Sequence, residues 1–248
     1  MHSSAPPPLR EEILAAVRIT APAALGYIPL GFAFGLLVAQ SSLPWWMAPA
    51  LSVTAYSGSV ELLMVGLAAS GTPLTTIAIS TFFVNSRHLF YAFSFPLHKV
   101  RGRGWRLYSM YALVDEAYAL TVARPHGWTS ARILTMQVLL QFTWVLSGLA
   151  GVGFGSLIPG TIPGLEFALC AMFITLALDS ARSVADIPSV LLAGLALMGA
   201  WLIAPDQWLL CALILFAALL VGRHIAARFR KADSNRLDQQ ISGGSNDS

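Results

Sequence analysis

The chain has 248 residues, of which 56% are hydrophobic and 11% are charged, and its mean hydropathy is +0.67. A soluble domain carries roughly 25% charged residues, so this chain has too little charge to cover a water-exposed surface. The composition excludes a substantial soluble domain, gives no reason to expect a nucleic-acid partner, and predicts an all-α integral membrane protein whose helices form a bundle in the lipid bilayer.

The N-terminal 18 residues are predicted to be a tail, with cleavage as a secretory signal as the alternative. Prolines at positions 6–8 and acidic residues at 11 and 12 lie where a secretory signal needs a short basic region followed directly by an apolar core. The two cysteines, Cys170 and Cys211, are isolated in apolar runs, which argues against a disulfide framework or a zinc site. We therefore expect no metal and no cofactor.

Seven apolar segments are long enough to cross a bilayer, which takes about 20 helical residues. An eighth, 107–123, is weaker because Asp115 and Glu116 within it would be costly facing lipid. We predict one transmembrane transporter domain over residues 19–228 with about six to eight spans, followed by a disordered polar tail over 229–248. The seven segments are 19–40, 44–70, 73–97, 133–157, 165–181, 187–204 and 207–223.

Basic residues cluster at 99–106, 124–132 and 223–231. The positive-inside rule puts all three clusters, and hence the C-terminus, in the cytoplasm. To keep both of its flanks on one side, segment 107–123 must be a broken or re-entrant element. The side of the N-terminus stays open: three full spans before Lys99 place it outside, whereas one interrupted early segment places it inside.

Helix-breaking residues interrupt several predicted spans. The group from Pro22 to Gly35 predicts a break in the first helix, and Ser57-Gly58-Ser59 predicts one in the second. Such breaks are tolerated at membrane depth where they line a cavity, and they point to a transporter site because half-helix ends supply partial charges. The alternative is that Pro and Gly are simply common in membrane helices. The Gly-x-x-x-Gly spacings at 31–35 and 151–155 predict close helix packing.

Ionisable residues inside apolar segments are candidates for function because they are expensive in hydrocarbon. Glu61 is either a proton-titrating or ammonium-binding carboxylate or the partner of Arg87 in a structural ion pair. Arg87 either holds a substrate carboxylate or neutralises Glu61 or Asp115. His88 is either a proton relay or a packing residue. Asp115 and Glu116 are adjacent, so on a helix they point about 100° apart. One of them is expected to face the cavity and the other the basic loop 99–106.

At these residues the chain resembles the AzlC family of branched-chain amino-acid permeases and exporters, which are small bacterial inner-membrane transporters. The matching segments are 26–35, 56–61, 85–91 and 114–118, in the order and spacing of the family. The family commonly has Gln where this chain has Glu61, which adds a negative charge here. The resemblance implies export of hydrophobic amino acids such as valine, often together with a much smaller AzlD-type membrane subunit.

We therefore predict a secondary transporter, not an enzyme, that exports branched-chain or other hydrophobic neutral amino acids across the inner membrane. Aromatic residues such as Tyr27, Tyr56 and Phe90 would enclose the apolar side chain of the substrate. The predicted substrate-binding residues are Gly26, Tyr27, Pro29, Tyr56, Ser57, Gly58, Ser59, Glu61, Asn85 and Arg87, and the proton-coupling candidates are Glu61, His88, Asp115 and Glu116.

Two alternatives to a transporter remain open at this point. A passive channel would use the same interior path without coupling. An intramembrane hydrolase would use Ser57 or Ser59 as the nucleophile and His88 as the base. A homo-oligomer is compatible with either reading. The chain carries no phosphate-binding loop motif, so it does not itself show an ATP-driven motor.

Overall fold

The computed structural model describes residues 8–160, 187–205, 208–223 and 225, with isolated positions at 162–164, 167, 170, 171 and 174. This part of the chain is helical apart from its connections and contains no strand, which confirms a helical membrane protein. A 3-10 turn spans Leu97–Lys99. The helices are α1 Leu9–Gln40, α2 Met47–Thr54, α3 Gly58–Ala69, α4 Leu74–Asn85, α5 Arg87–Ser94, α6 Arg103–Tyr111, α7 Asp115–Ala123, α8 Ser130–Leu157, α9 Ile187–Ile203 and α10 Trp208–Arg223.

The chain divides into two compact units, residues 1–170 and 171–248. The first unit contains α1 to α8, and the second contains α9 and α10. One transmembrane domain over 19–228 stays a prediction. Segment 165–181 and the polar tail lie wholly or mostly outside the described residues.

The first unit is organised around α1 and α8, which have 32 and 28 residues and are long and apolar enough to cross a bilayer. A Cβ atom on Gly35 would collide with the carbonyl oxygen of Gly148, and one on Gly151 would collide with that of Phe32. The two backbones therefore touch, with no side chain between them. This contact confirms the close packing that the two Gly-x-x-x-Gly spacings predict.

The two long helices also begin together. The buried carboxylate of Glu12, in the first turn of α1, accepts hydrogen bonds from Thr129 and from Arg132 at the start of α8, the latter at 2.9 Å. Further along, Gly31 lies against Ser147, and Gly155 lies against Ala39. The order of these contacts shows that α1 and α8 are parallel.

The prediction that the first helix is interrupted is wrong. α1 is one continuous helix with Pro22 and Pro29 inside it. Each proline removes one backbone hydrogen bond, but two missing bonds in a helix packed along α8 do not end it, and such prolines are tolerated in membrane helices. Gly31 and Gly35 serve this packing rather than a break.

Three other apolar segments are broken in their middle. Segment 44–70 divides into α2 and α3 at residues 55–57, segment 73–97 divides into α4 and α5 at Ser86, and the 107–123 region divides into α6 and α7 at residues 112–114. The halves have 8 to 12 residues and so reach about 12–18 Å each, well short of a 30 Å hydrocarbon core. The breaks at residues 55–57 and within 107–123 confirm what the sequence predicts, whereas the break at Ser86 was not predicted.

The pair α6 and α7 returns to the side from which it starts. Before α6, the backbone N–H of Arg101 donates to Ser130 Oγ at 3.1 Å. After α7, the Trp128 indole donates to the Arg124 carbonyl, and Thr129 directly precedes α8. Both ends of the pair therefore lie at the start of α8, which confirms the re-entrant element predicted from the basic flanks.

Candidate functional site

The three breaks meet at one place. Ser57 Oγ in the first break donates to Asn85 Oδ1 beside the second, at 3.1 Å. Arg87 Nη2 donates to Ser59 Oγ at 2.9 Å and lies 2.7 Å from Asp115 Oδ2, which begins α7 after the third break. We call this meeting point, residues 55–61, 85–88 and 110–116, the break junction. Its α3, α5 and α7 helices present N-terminal turns, whose N–H groups lack helical acceptors.

The first break has an unusual backbone. Tyr56 has φ +39°, in the left-handed region that non-glycine residues rarely occupy, and its buried hydroxyl has no hydrogen-bond partner among the described residues. Ser57 is extended and precedes Gly58, where a Cβ would come within 2.8 Å of the Trp144 ring. Strain of this kind concentrates at functional sites.

Glu61 stabilises the first break from inside. Its side chain is fully buried and accepts three hydrogen bonds: from the Ser57 N–H at 3.0 Å, from Ser52 Oγ at 2.8 Å and from Trp144 Nε1 at 2.9 Å. No cation pairs with it in the described part of the chain. The alternative of an ion pair between Glu61 and Arg87 is therefore wrong, because neutral donors hold this carboxylate.

Arg87 is engaged by protein groups. Besides Ser59, its guanidinium pairs with Asp115, whose other oxygen accepts from Tyr91 Oη at 2.9 Å. Tyr91 in turn stacks on Tyr118 with ring centroids 4.2 Å apart. Of the roles open to Arg87, the structure therefore has it neutralise Asp115.

The adjacent carboxylates of α7 point to different helices, as predicted. Asp115 faces Arg87 in α5, whereas Glu116 accepts a hydrogen bond from the Tyr27 hydroxyl in α1. Tyr27 packs edge-on against Trp144, with ring centroids 5.3 Å apart. The expectation that one of these acids faces loop 99–106 is wrong, because each has a partner inside the bundle. The start of α7 thereby links α5 to α1.

Two adjoining cavities open at the break junction. A polar cavity of about 190 Å³ is lined by residues from all three breaks: Ala55, Tyr56, Ser57, Asn85, His88, Met110, Tyr111 and Leu113. A mostly apolar cavity of about 470 Å³ is lined by Thr81, Phe82, Asn85, Ser86, His88, Leu89, Ala92, Phe95, Leu97, Met110 and Leu113. Four residues are common to both walls: Asn85, His88, Met110 and Leu113. The arrangement suits a small solute with one polar end and one apolar end.

Not every predicted site residue lies at these cavities. Tyr56, Ser57, Asn85 and His88 line the polar one. Gly26 and Pro29 are exposed on α1, and Phe90 is 70% exposed on α5. The remaining predicted residues lie in or beside the break junction without lining either cavity: Tyr27, Gly58, Ser59, Glu61, Arg87, Asp115 and Glu116.

Residues of α8 that support the site were not predicted. Trp144 holds Glu61, and Gln137 Nε2 donates to the carbonyls of Ser109 and Ala112 at 2.8 and 3.1 Å, where α6 ends. Gln137, Trp144 and Gly151 are spaced by seven residues and so share one face of α8. That spacing is the signal that could have identified them.

Ser57, Ser59 and His88 do not form the nucleophile and base pair that a hydrolase would need. Ser57 donates to Asn85 and Ser59 accepts from Arg87, so neither serine hydrogen-bonds His88. His88 Nδ1 instead lies 3.1 Å from the Asn85 carbonyl oxygen. The histidine is therefore oriented by the end of the preceding half-helix, α4.

Fold and site together define a polytopic helical membrane protein whose broken helices surround a polar interior junction. The family model described as AzlC protein matches residues 22–158, which contain α8 and nearly all of α1 to α7. The chain belongs to the AzlC family.

Three relatives extend this comparison. An uncharacterized membrane protein of Helicobacter pylori is 29% identical over 202 residues, covering 79% of this chain and 88% of the relative. One of Haemophilus influenzae is 27% identical, covering 84% and 87%. The branched-chain amino acid transport protein AzlC of Bacillus subtilis is 28% identical, covering 68% and 70%. No solved structure gives a significant match.

Proposed function

We propose that this protein is a secondary transporter that exports branched-chain or other hydrophobic neutral amino acids across the bacterial inner membrane. Its family, and the name of the Bacillus subtilis relative, support a role in membrane transport. The observation that carries the substrate class is the pair of adjoining cavities at the break junction. The polar cavity receives the charged backbone groups of the amino acid, and the apolar one receives its side chain.

The helix ends around the polar cavity are suited to a zwitterion. The first turns of α3, α5 and α7 begin there, and the last turns of α2, α4 and α6 end there. Such turns carry unpaired N–H and C=O groups respectively. Discontinuous membrane helices use these ends to bind the opposite charges of a substrate. A neutral amino acid presents both charges within a few bonds of each other.

We further propose that export is coupled to the proton gradient. Glu61 and Glu116 support this step, because each is a carboxylate inside the bundle that is held by neutral donors and has no salt-bridge partner in the described residues. Protonation of either carboxylate therefore breaks no ion pair among the described residues. Asp115, by contrast, is paired with Arg87. Transport that ignores an imposed pH gradient in proteoliposomes would remove the coupling.

The cellular setting of the proposal comes from the family resemblance and the charge distribution. The protein works with a small AzlD-type membrane subunit, and its C-terminus lies in the cytoplasm, where the basic clusters place it. Efflux of labelled amino acids from cells that carry the chain, with and without the small subunit, tests both the direction and the need for a partner.

The substrate class is tested by narrowing the apolar cavity. Ala92→Phe places a ring in its wall, and we expect it to reduce efflux of leucine or valine about tenfold while alanine efflux changes little, since a small side chain still fits. Ser94→Phe adds the same ring to the same helix at an exposed position outside both cavities. Equal efflux of leucine and alanine in the two variants would contradict the proposal. Flux that neither saturates nor distinguishes enantiomers would instead favour a passive channel.

A further inference from the structure

The charged side chains of the break junction do not line the polar cavity. Arg87 is bound to Asp115 and Ser59, Glu61 to three donors, and Glu116 to Tyr27. None of these four charged residues lines either cavity. A zwitterion that enters therefore meets helix ends and polar side chains without formal charge.

The contact of His88 with the last residue of α4 fixes its tautomer. Its Nδ1 atom lies 3.1 Å from the carbonyl oxygen of Asn85. A carbonyl can only accept, so Nδ1 carries the proton in this contact, and Nε2 of the neutral ring is an acceptor. Because His88 lines both cavities, this acceptor belongs to their common wall.

A hydrogen bond also fixes the orientation of the Asn85 side-chain amide. Its Oδ1 atom accepts a hydrogen bond from Ser57 Oγ at 3.1 Å, which assigns the opposite side of the amide to Nδ2. Nδ2 has two hydrogens to donate and makes no hydrogen bond within the described residues. The wall common to both cavities thus holds one unused donor group and one unused acceptor, three residues apart on consecutive half-helices.

We propose that Asn85 and His88 are the specificity-determining pair that binds the two charged groups of the amino acid, its α-carboxylate and its α-ammonium. The Asn85 amide donates to the α-carboxylate, and His88 Nε2 accepts a hydrogen from the α-ammonium. This assignment rests on the proposed function and deepens it. It gives His88 the role of substrate ligand, and it predicts that the protein discriminates against both the deaminated and the decarboxylated analogue of its substrate.

The test compares leucine with 4-methylpentanoate, which lacks the ammonium, and isopentylamine, which lacks the carboxylate. Each is measured by direct binding to the purified full chain in detergent. We expect the wild type to bind leucine roughly 10- to 100-fold tighter than either analogue, as loss of a hydrogen bond to a charged group implies. His88→Phe should weaken leucine binding by a similar factor and leave 4-methylpentanoate binding unchanged. His88→Gln, which restores an acceptor, should recover part of the loss.

The second residue is tested in the same way. Asn85→Asp keeps an oxygen for Ser57 but replaces the donor by an acceptor, so it should weaken binding of leucine and 4-methylpentanoate and spare isopentylamine. A merely structural role would weaken all three ligands together, and that result, or no change at all, overturns the assignment. A wild type that binds none of the three overturns the proposed function and the assignment with it. Wild-type binding of leucine with unaltered discrimination in both variants overturns the assignment alone.

Discussion

The first unit of this protein contains two kinds of membrane helix that differ in what their backbones do. α1 and α8 are continuous, touch through glycines, and form a backbone-to-backbone seam. α2 to α7 are half-helices whose breaks meet around a polar cavity. The seam satisfies its backbone hydrogen bonds internally, whereas the break junction exposes helix ends and satisfies some of them with side chains.

The comparison shows that apolar segments of one protein can serve two different purposes. The small residues of the seam allow α1 and α8 to approach closely, so the two helices keep a fixed distance from each other. The break junction places Glu61, Arg87 and Asp115 where interrupted backbone and polar neighbours surround them, since such groups are costly in lipid. Trp144 connects the two regions, because it lies on α8, packs near Phe34 of α1 and donates to Glu61. The rigid pair therefore supports the polar site.

The largest effect is expected at the seam. Gly35→Ala puts a methyl group into the backbone of Gly148, and because the backbone cannot rotate away, we expect a loss well above the roughly 1–3 kcal/mol that is usual for overpacking and large enough to prevent folding. The matched control is Gly26→Ala on the same helix, where nothing lies within 4 Å of the new atom. Melting of the two variants in detergent measures the difference. Equal melting temperatures would show that the seam is looser than described.

A smaller but still large effect is expected at Glu61. Glu61→Ala leaves Ser52, the Ser57 N–H and Trp144 without their acceptor, and each unsatisfied buried donor costs about 1–3 kcal/mol. Thermal unfolding should therefore shift strongly. Glu11→Ala, at an exposed acid one residue from the buried Glu12, should shift it little. If the Glu61→Ala effect is smaller in a Trp144→Phe background, the shared hydrogen bond accounts for the difference; strictly additive losses would argue against that coupling.

The smallest of the three effects is expected at the ion pair of the break junction. The side chains of Arg87 and Asp115 are 39% and 38% exposed, so their pairing is partly screened, and either single alanine variant should cost about 1–3 kcal/mol. The double variant should cost less than the sum, because neither charge is left alone. A double-mutant cycle on unfolding measures this. Full additivity would mean that the two residues act independently.

The sequence predicts the spans and the places of most breaks, because apolar length and helix-breaking residues are local properties. It places the start of α3 correctly at Ser57-Gly58, and it identifies the re-entrant pair from the basic flanks. It is wrong about Pro22 and Pro29, since a helix packed along a neighbour tolerates both.

Partners are harder to predict than segments. Nothing local to Glu61 indicates that its donor is Trp144, which lies 83 positions away, and nothing local to Arg87 selects Asp115 over Glu61. Such pairs depend on how the half-helices are stacked. The candidate site was therefore predicted as a set of segments, whereas its division into cavity walls and supporting ion pairs comes from the tertiary arrangement.

The salt bridge between Glu12 and Arg132 has a consequence for membrane topology. Since the first turns of α1 and α8 are tied together and loop 99–102 is hydrogen-bonded to the start of α8, the start of α1 lies on the same side of the membrane as that loop. Of the two topologies open from the sequence, only the one with both on a single face agrees with this arrangement. A reagent that is confined to one side of the membrane therefore reaches both the first turn of α1 and the arginine-rich loop, or neither of them.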